Sequence, residues 1–134
     1  MSRQQAATEQ LEEAIDCFFD GALAAAITLA GAVEGMFQPP EDGSLDLFSC
    51  LKRVGAERGH DESSLLWRLN VVRNWLKHSH DEDQIRIEKE EAMIMLVRAI
   101  TRYTSQYEDD TVPPKLTKFG EFLEKDYPNW IADQ

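Results

Sequence analysis

The sequence predicts an all-α fold: an antiparallel bundle of four to six helices with an irregular C-terminal tail. Apolar residues recur at intervals of three and four in several separate stretches, the spacing that gathers one face of a helix. Glycine and proline clusters separate those stretches. Apolar–polar alternation, the mark of a half-buried strand, is brief and reaches only Ile85-Arg86-Ile87, too short to define a sheet. At 134 residues the chain suits one domain with one core, and 43% apolar residues can fill it. Residues 6–107 are expected to form the main bundle and residues 108–134 an extension packed on it.

In the first helix Leu11, Ala14, Ile15, Phe18 and Phe19 share the buried side. Glu9, Glu12, Glu13 and Asp16 solvate the rest, and their place toward the N-terminal half is expected to suit the helix dipole. Gly21 interrupts the chain, because glycine lowers helix stability and permits tight geometry. The second helix repeats the spacing through Leu23, Ile27, Ala30, Val33 and Phe37, and should pair antiparallel with the first. Its small residues Ala24, Ala25, Ala26, Gly31 and Ala32 are expected to admit a neighbouring helix backbone.

Gly35, Pro39-Pro40 and Glu41-Asp42-Gly43 end that unit in a loop. A short helix follows through Leu45, Phe48, Leu51 and Val54, capped by Asp42 or Ser44, and Gly59-His60-Asp61 marks a turn. From Glu62 a stronger helix carries Leu65, Leu69, Val72 and Leu76 on one side, with Trp67 and Trp75 beside them, and should end near His78 to His80. Met93, Leu96, Val97, Ile100, Tyr103 and Tyr107 mark a long amphipathic helix, stopped by Asp109, Asp110, Pro113 and Pro114. Leu116, Phe119, Phe122 and Leu123 form a last short helix, after which Tyr127, Pro128 and Trp130 pack as a tail.

A net charge of -11 argues against nonspecific coating of nucleic acid, which needs a basic surface. The charge is uneven: residues 50–80 hold six basic residues, Lys52, Arg53, Arg58, Arg68, Arg73 and Lys77, against Glu57, Asp61 and Glu62. A local basic face within an acidic envelope is one reading, and scattered surface charge is the other. The run from Gly21 to Val33 is too short and alanine-rich to cross a bilayer, and residues 1–10 lack a secretory pattern, so a cytoplasmic, non-membrane domain is expected. Cys17 and Cys50 fit small buried hydrophobes in a reducing compartment better than a disulfide.

The strongest functional signal is Arg73-Asn74-Trp75-Leu76-Lys77-His78. This run resembles the motif of the HEPN superfamily of small helical bundles, many of which are RNA endonucleases using an arginine, a following polar residue and a histidine after four intervening positions. The opening helix, Gly21 and the alanine-rich helix ending in Ala32-Val33-Glu34 are similar to the paired opening helices of that superfamily, so the resemblance spans most of residues 6–107. It implies a HEPN-like bundle, catalytic residues Arg73, Asn74 and His78, a homodimeric site, and an RNA substrate. It also implies a supporting contact from Glu34 to the Arg73 region. Some members pair with a separate nucleotidyltransferase, so a separate regulatory protein is a further implied partner. One similar subgroup has a modifiable tyrosine two positions after the histidine, where this chain has His80.

The chemistry can be argued from the residues as well. Five residues of helix turn through about 500° and rise about 7.5 Å, so Arg73 and His78 do not share one stripe. Asn74 and His78 share one line, and Arg73 and Lys77 share another beside it. Two copies across a twofold axis would bring two histidines and two arginines around one phosphate. The imidazole of His78 suits general acid–base work, while the Arg73 fork suits charge developing on phosphate oxygens. Asn74 can orient His78 or the phosphate, and Lys77 adds positive potential. Attack by the ribose 2′-hydroxyl needs no metal or cofactor, and DNA, lacking that nucleophile, is not a substrate.

Each signal has a plainer alternative. Glu34 lies on the apolar line of the second helix, where a buried carboxylate requires a partner, but it also fits a solvated residue near a frayed end or a purely structural ion pair. His78-Ser79-His80-Asp81-Glu82-Asp83 lacks a zinc-site pattern and fits a polar helix end. The whole run also fits a noncatalytic helical dimer or partner-binding protein that keeps the motif for packing and electrostatics.

Overall fold

The computed structural model describes residues 1–38, 71–78, 83–108 and 110–127. These contain five helices and no strand: α1 (Arg3–Phe19), α2 (Leu23–Met36), α3 (described over 71–77), α4 (Lys89–Gln106) and α5 (Pro114–Asp126). The short helix predicted through Leu45, Phe48, Leu51 and Val54, the start of the helix carrying Trp67 and Leu69, and Trp130 all lie outside the described residues.

α1 begins with a reciprocal cap. Ser2 Oγ accepts from the Gln5 backbone N–H at 3.0 Å, and Gln5 Oε1 accepts from the Ser2 N–H at 2.7 Å. This corrects the expected role of the acidic residues, because the first turn contains none and Glu9 lies beyond the reach of the terminal dipole. At its other end the Ala22 N–H donates to the Cys17 carbonyl at 2.8 Å, and the Gly21 N–H to the Phe18 carbonyl at 3.1 Å. That paired closure requires a left-handed residue, and Gly21 supplies it at φ 84°. The short reversal folds α2 back along α1.

α2 packs between α1 and α4, so its apolar line is covered from both sides. Leu11, Ile15, Ile27, Val33, Met93, Met95 and Leu96 are fully buried there, joined by Val72 of α3. α5 seals one end of α1 through rings: Phe18 meets Phe119 and Phe122 edge-on at 5.6 and 5.7 Å, and the Lys89 ammonium stands 5.5 and 5.4 Å from Phe18 and Phe122. Aromatic contacts elsewhere join Phe37 to Tyr103 and Tyr107, while the Tyr103 hydroxyl bonds Thr8 Oγ1 at 2.8 Å.

Two sequence expectations need correction, while the brief alternation at Ile85-Arg86-Ile87 defines no sheet, as expected. Residues 84–88 form no strand; Ile85 and Ile87 lean half-buried on the core while Arg86 between them is exposed, and no described segment offers a ladder partner. Pro113 and Pro114 start α5, because proline at a first helical position gives up only a donor that has no intrahelical acceptor. The small residues of α2 do not all face a neighbour: Ala26, Ala30 and Gly31 are buried, but Ala24, Ala25 and Ala32 are exposed.

Gly21→Ala should cost about 1–2 kcal/mol, since an L side chain at that φ is strained although nothing lies within 4 Å of the added carbon. Urea unfolding followed by circular dichroism measures it; a loss below a few tenths would mean that the reversal tolerates another backbone geometry.

Candidate functional site

On α3, Val72 is fully buried and Leu76, four residues on, packs on the core. Anchoring that side turns the adjacent Arg73 toward α2, where its guanidinium lies over Gly31: a carbon added to this glycine would stand 3.6 Å from both Nε and Nη2. Three residues farther along α2, on the same side, stands Glu34. It is 5% exposed, and Arg73 Nη1 is 3.5 Å from its Oε1. The partner of this carboxylate is therefore intramolecular.

α4 supplies two more guanidinium groups. Arg98 Nη2 donates to Glu34 Oε1 at 3.2 Å, and Arg98 Nε lies 2.5 Å from Oε2 as a charge contact, without the alignment of a hydrogen bond. One helical turn farther, Arg102 Nη1 donates to the carbonyls of Glu34 and Phe37 at 2.9 and 3.1 Å. Those carbonyls belong to the end of α2, whose last turn has no basic residue of its own. Arg102 thus satisfies open acceptors and the negative end of the helix together. Burial pushes the Arg98 guanidinium below its ordinary value; Glu34 opposes this, and Arg73 and Arg102 add to it. Among the described residues, three cations around one carboxylate leave the cluster with surplus positive charge.

The remaining motif residues point elsewhere. Asn74, Lys77 and His78 are exposed, and the His78 N–H closes the last turn on the Asn74 carbonyl at 3.0 Å. Within one chain, then, Arg73 joins Glu34 in the half-buried cluster, whereas His78 stands on the solvent side of the same short helix. His80, Asp81 and Glu82 lie outside the described residues, among which no group of three or more His, Cys, Asp or Glu side chains could hold a metal ion.

Other surface features carry different chemistry. The half-buried Cys17 thiol is pushed up by burial and then by Glu13, Asp20 and Asp16, which makes it a poor nucleophile at neutrality. A recess of about 510 Å³ runs along α1, lined by Glu9, Glu12, Glu13 and Asp16 beside Lys115, and its acidic wall repels a polyanion. No described helix is long and apolar enough to cross a membrane. Arg98 and Arg102 were not singled out by the sequence reading; beyond its first residue they are the only basic residues of α4, and their spacing of four was the available signal. No protein-family model, curated protein or solved structure matches this chain.

Glu34→Ala should destabilise the fold by about 3 kcal/mol, because it leaves Arg73 and Arg98 facing each other largely out of water. Chemical unfolding checks this; an effect below about 1 kcal/mol would mean that the two arginines swing out to solvent at little expense.

Proposed function

We propose that this chain is a metal-independent endoribonuclease of the HEPN type, acting as a homodimer whose two copies complete one site. The observation supporting it is the fixed placement of the motif arginine. Arg73 is paired with the buried Glu34 and lies over Gly31, and Asn74, Lys77 and His78 of the motif are exposed. A guanidinium held in place stabilises developing phosphate charge without first reorganising.

In this reading His78 of one copy takes the 2′-hydroxyl proton as that oxygen attacks the adjacent phosphorus. The P–O5′ bond breaks, and His78 of the second copy returns a proton to the departing 5′-oxygen. The products are a 2′,3′-cyclic phosphate and a free 5′-hydroxyl. Asn74 orients the histidine or the phosphate, Lys77 adds attraction, and Glu34 sets the direction of Arg73. A noncatalytic, partner-binding dimer is the second reading, favoured by the Arg73 side chain being only 18% exposed and already paired.

Purified protein in EDTA should cleave a pool containing tRNA, messenger-like and structured RNA, leaving ends with 2′,3′-cyclic phosphate. His78→Ala and Arg73→Ala should each slow this roughly 10²–10⁴-fold with little change in helicity. Equal rates in both folded variants, or no cleavage attributable to the native chain across that pool, would install the noncatalytic reading instead.

The paired site also predicts a solution mass near twice 15.3 kDa. Light scattering over a concentration series tests it, and a persistent monomer at high concentration would count against the shared site.

A further inference from the structure

We propose that Arg98 is a second phosphate-binding group, and that Arg73 and Arg98, held together by Glu34, take one singly charged phosphodiester. Both guanidinium groups reach the same oxygen: Arg73 Nη1 lies 3.5 Å and Arg98 Nη2 3.2 Å from Glu34 Oε1. Two nitrogens that share an acceptor at those distances stand close enough for the oxygens of one phosphate to bridge them. The carboxylate is the template that sets their separation.

Charge and access point the same way. Arg102 is committed to the two carbonyls ending α2, so the cations left to a ligand are Arg73 and Arg98. Glu34 cancels one of the three positive charges around it, so among the described residues the cluster stays cationic and attracts a phosphodiester. Both side chains keep an outward edge, with exposures of 18% and 17%. Repulsion between the two guanidinium groups falls when an anion sits across them. A backbone diester also suits a site that offers guanidinium forks and no base-reading group. In an acidic chain this half-buried pair would mark where a polyanion is admitted.

The assignment rests on the endoribonuclease reading only in taking the diester to be RNA, and binding can be measured apart from cleavage. The probe is a fluorescein-labelled 2′-O-methyl RNA oligonucleotide, whose blocked 2′-oxygen cannot attack, titrated with the full chain in EDTA at low salt and followed by anisotropy. Arg98→Met, which keeps the apolar stem, should weaken binding roughly tenfold or more. Arg102→Met should lower thermal stability and weaken binding less than Arg98→Met does, since its donors serve backbone carbonyls.

Circular dichroism establishes which variants fold. If Arg98→Met does not, Arg98→Lys decides: it keeps the charge, loses the fork, and should still weaken binding severalfold. Native-like binding by the folded Arg98 variant, or no binding by the native chain, overturns the assignment. Cleavage that needs Arg73 and His78 but not Arg98 would overturn it while leaving the endoribonuclease reading in place. Arg98-dependent binding without cleavage of ordinary RNA would do the reverse.

Discussion

A carboxylate inside a bundle is stable only if other charges come in with it, and Glu34 imposes that condition on three helices. Its own α2 contributes the negative group, α3 contributes Arg73 and α4 contributes Arg98. The desolvation of an unpaired carboxylate would cost several kcal/mol, so α3 and α4 must present their arginines to the same side of α2. Arg102 extends the constraint to the backbone by closing the end of the helix on which Glu34 stands. A charge centre of this kind adds little net stability compared with an apolar replacement, but it permits few alternative arrangements.

The apolar layers explain why the centre is held firmly. Val33 directly precedes Glu34, and Ala30 lies one turn back; both are fully buried, so the backbone under the carboxylate cannot shift without opening the core. Leu96 and Ala99 do the same for Arg98, and Val72 for Arg73. Each charged residue sits beside a residue fixed by close packing, and the guanidinium positions inherit that rigidity. The flat Arg73 group lies over Gly31, where an added carbon would stand at ordinary contact, 3.6 Å from its nitrogens.

Electrostatics separates two faces of the molecule. The outward side of α1 carries Glu9, Glu12, Glu13 and Asp16, while the cluster around Glu34 carries surplus positive charge. In a chain with net charge -11, long-range attraction to a polyanion is weak. Exposed charges on α1 are screened by salt; those in the cluster are screened much less.

Much of the helical architecture was legible because it rests on local rules. Leu11, Ala14, Ile15 and Phe18 fall at helical spacing and are buried as that spacing requires, and Gly21 reverses the chain where only a residue without Cβ is unstrained. Val72 and Leu76 marked the inner side of α3, which in turn fixes where Arg73 can point. The alternation of Ile85 and Ile87 makes no sheet, because it reports which side chains lean inward and not whether a neighbouring backbone is there to pair with. Glu34 was visible as a carboxylate on an apolar line, a residue that needed a partner. The identity of that partner depended on how α2, α3 and α4 pack, and so did the entry of Arg98 and Arg102, which lie 64 and 68 residues from Glu34 along the chain. Periodicity determines which face of each helix turns inward; only packing decides which charges then meet, because the desolvation that forces them together exists only once the helices enclose them.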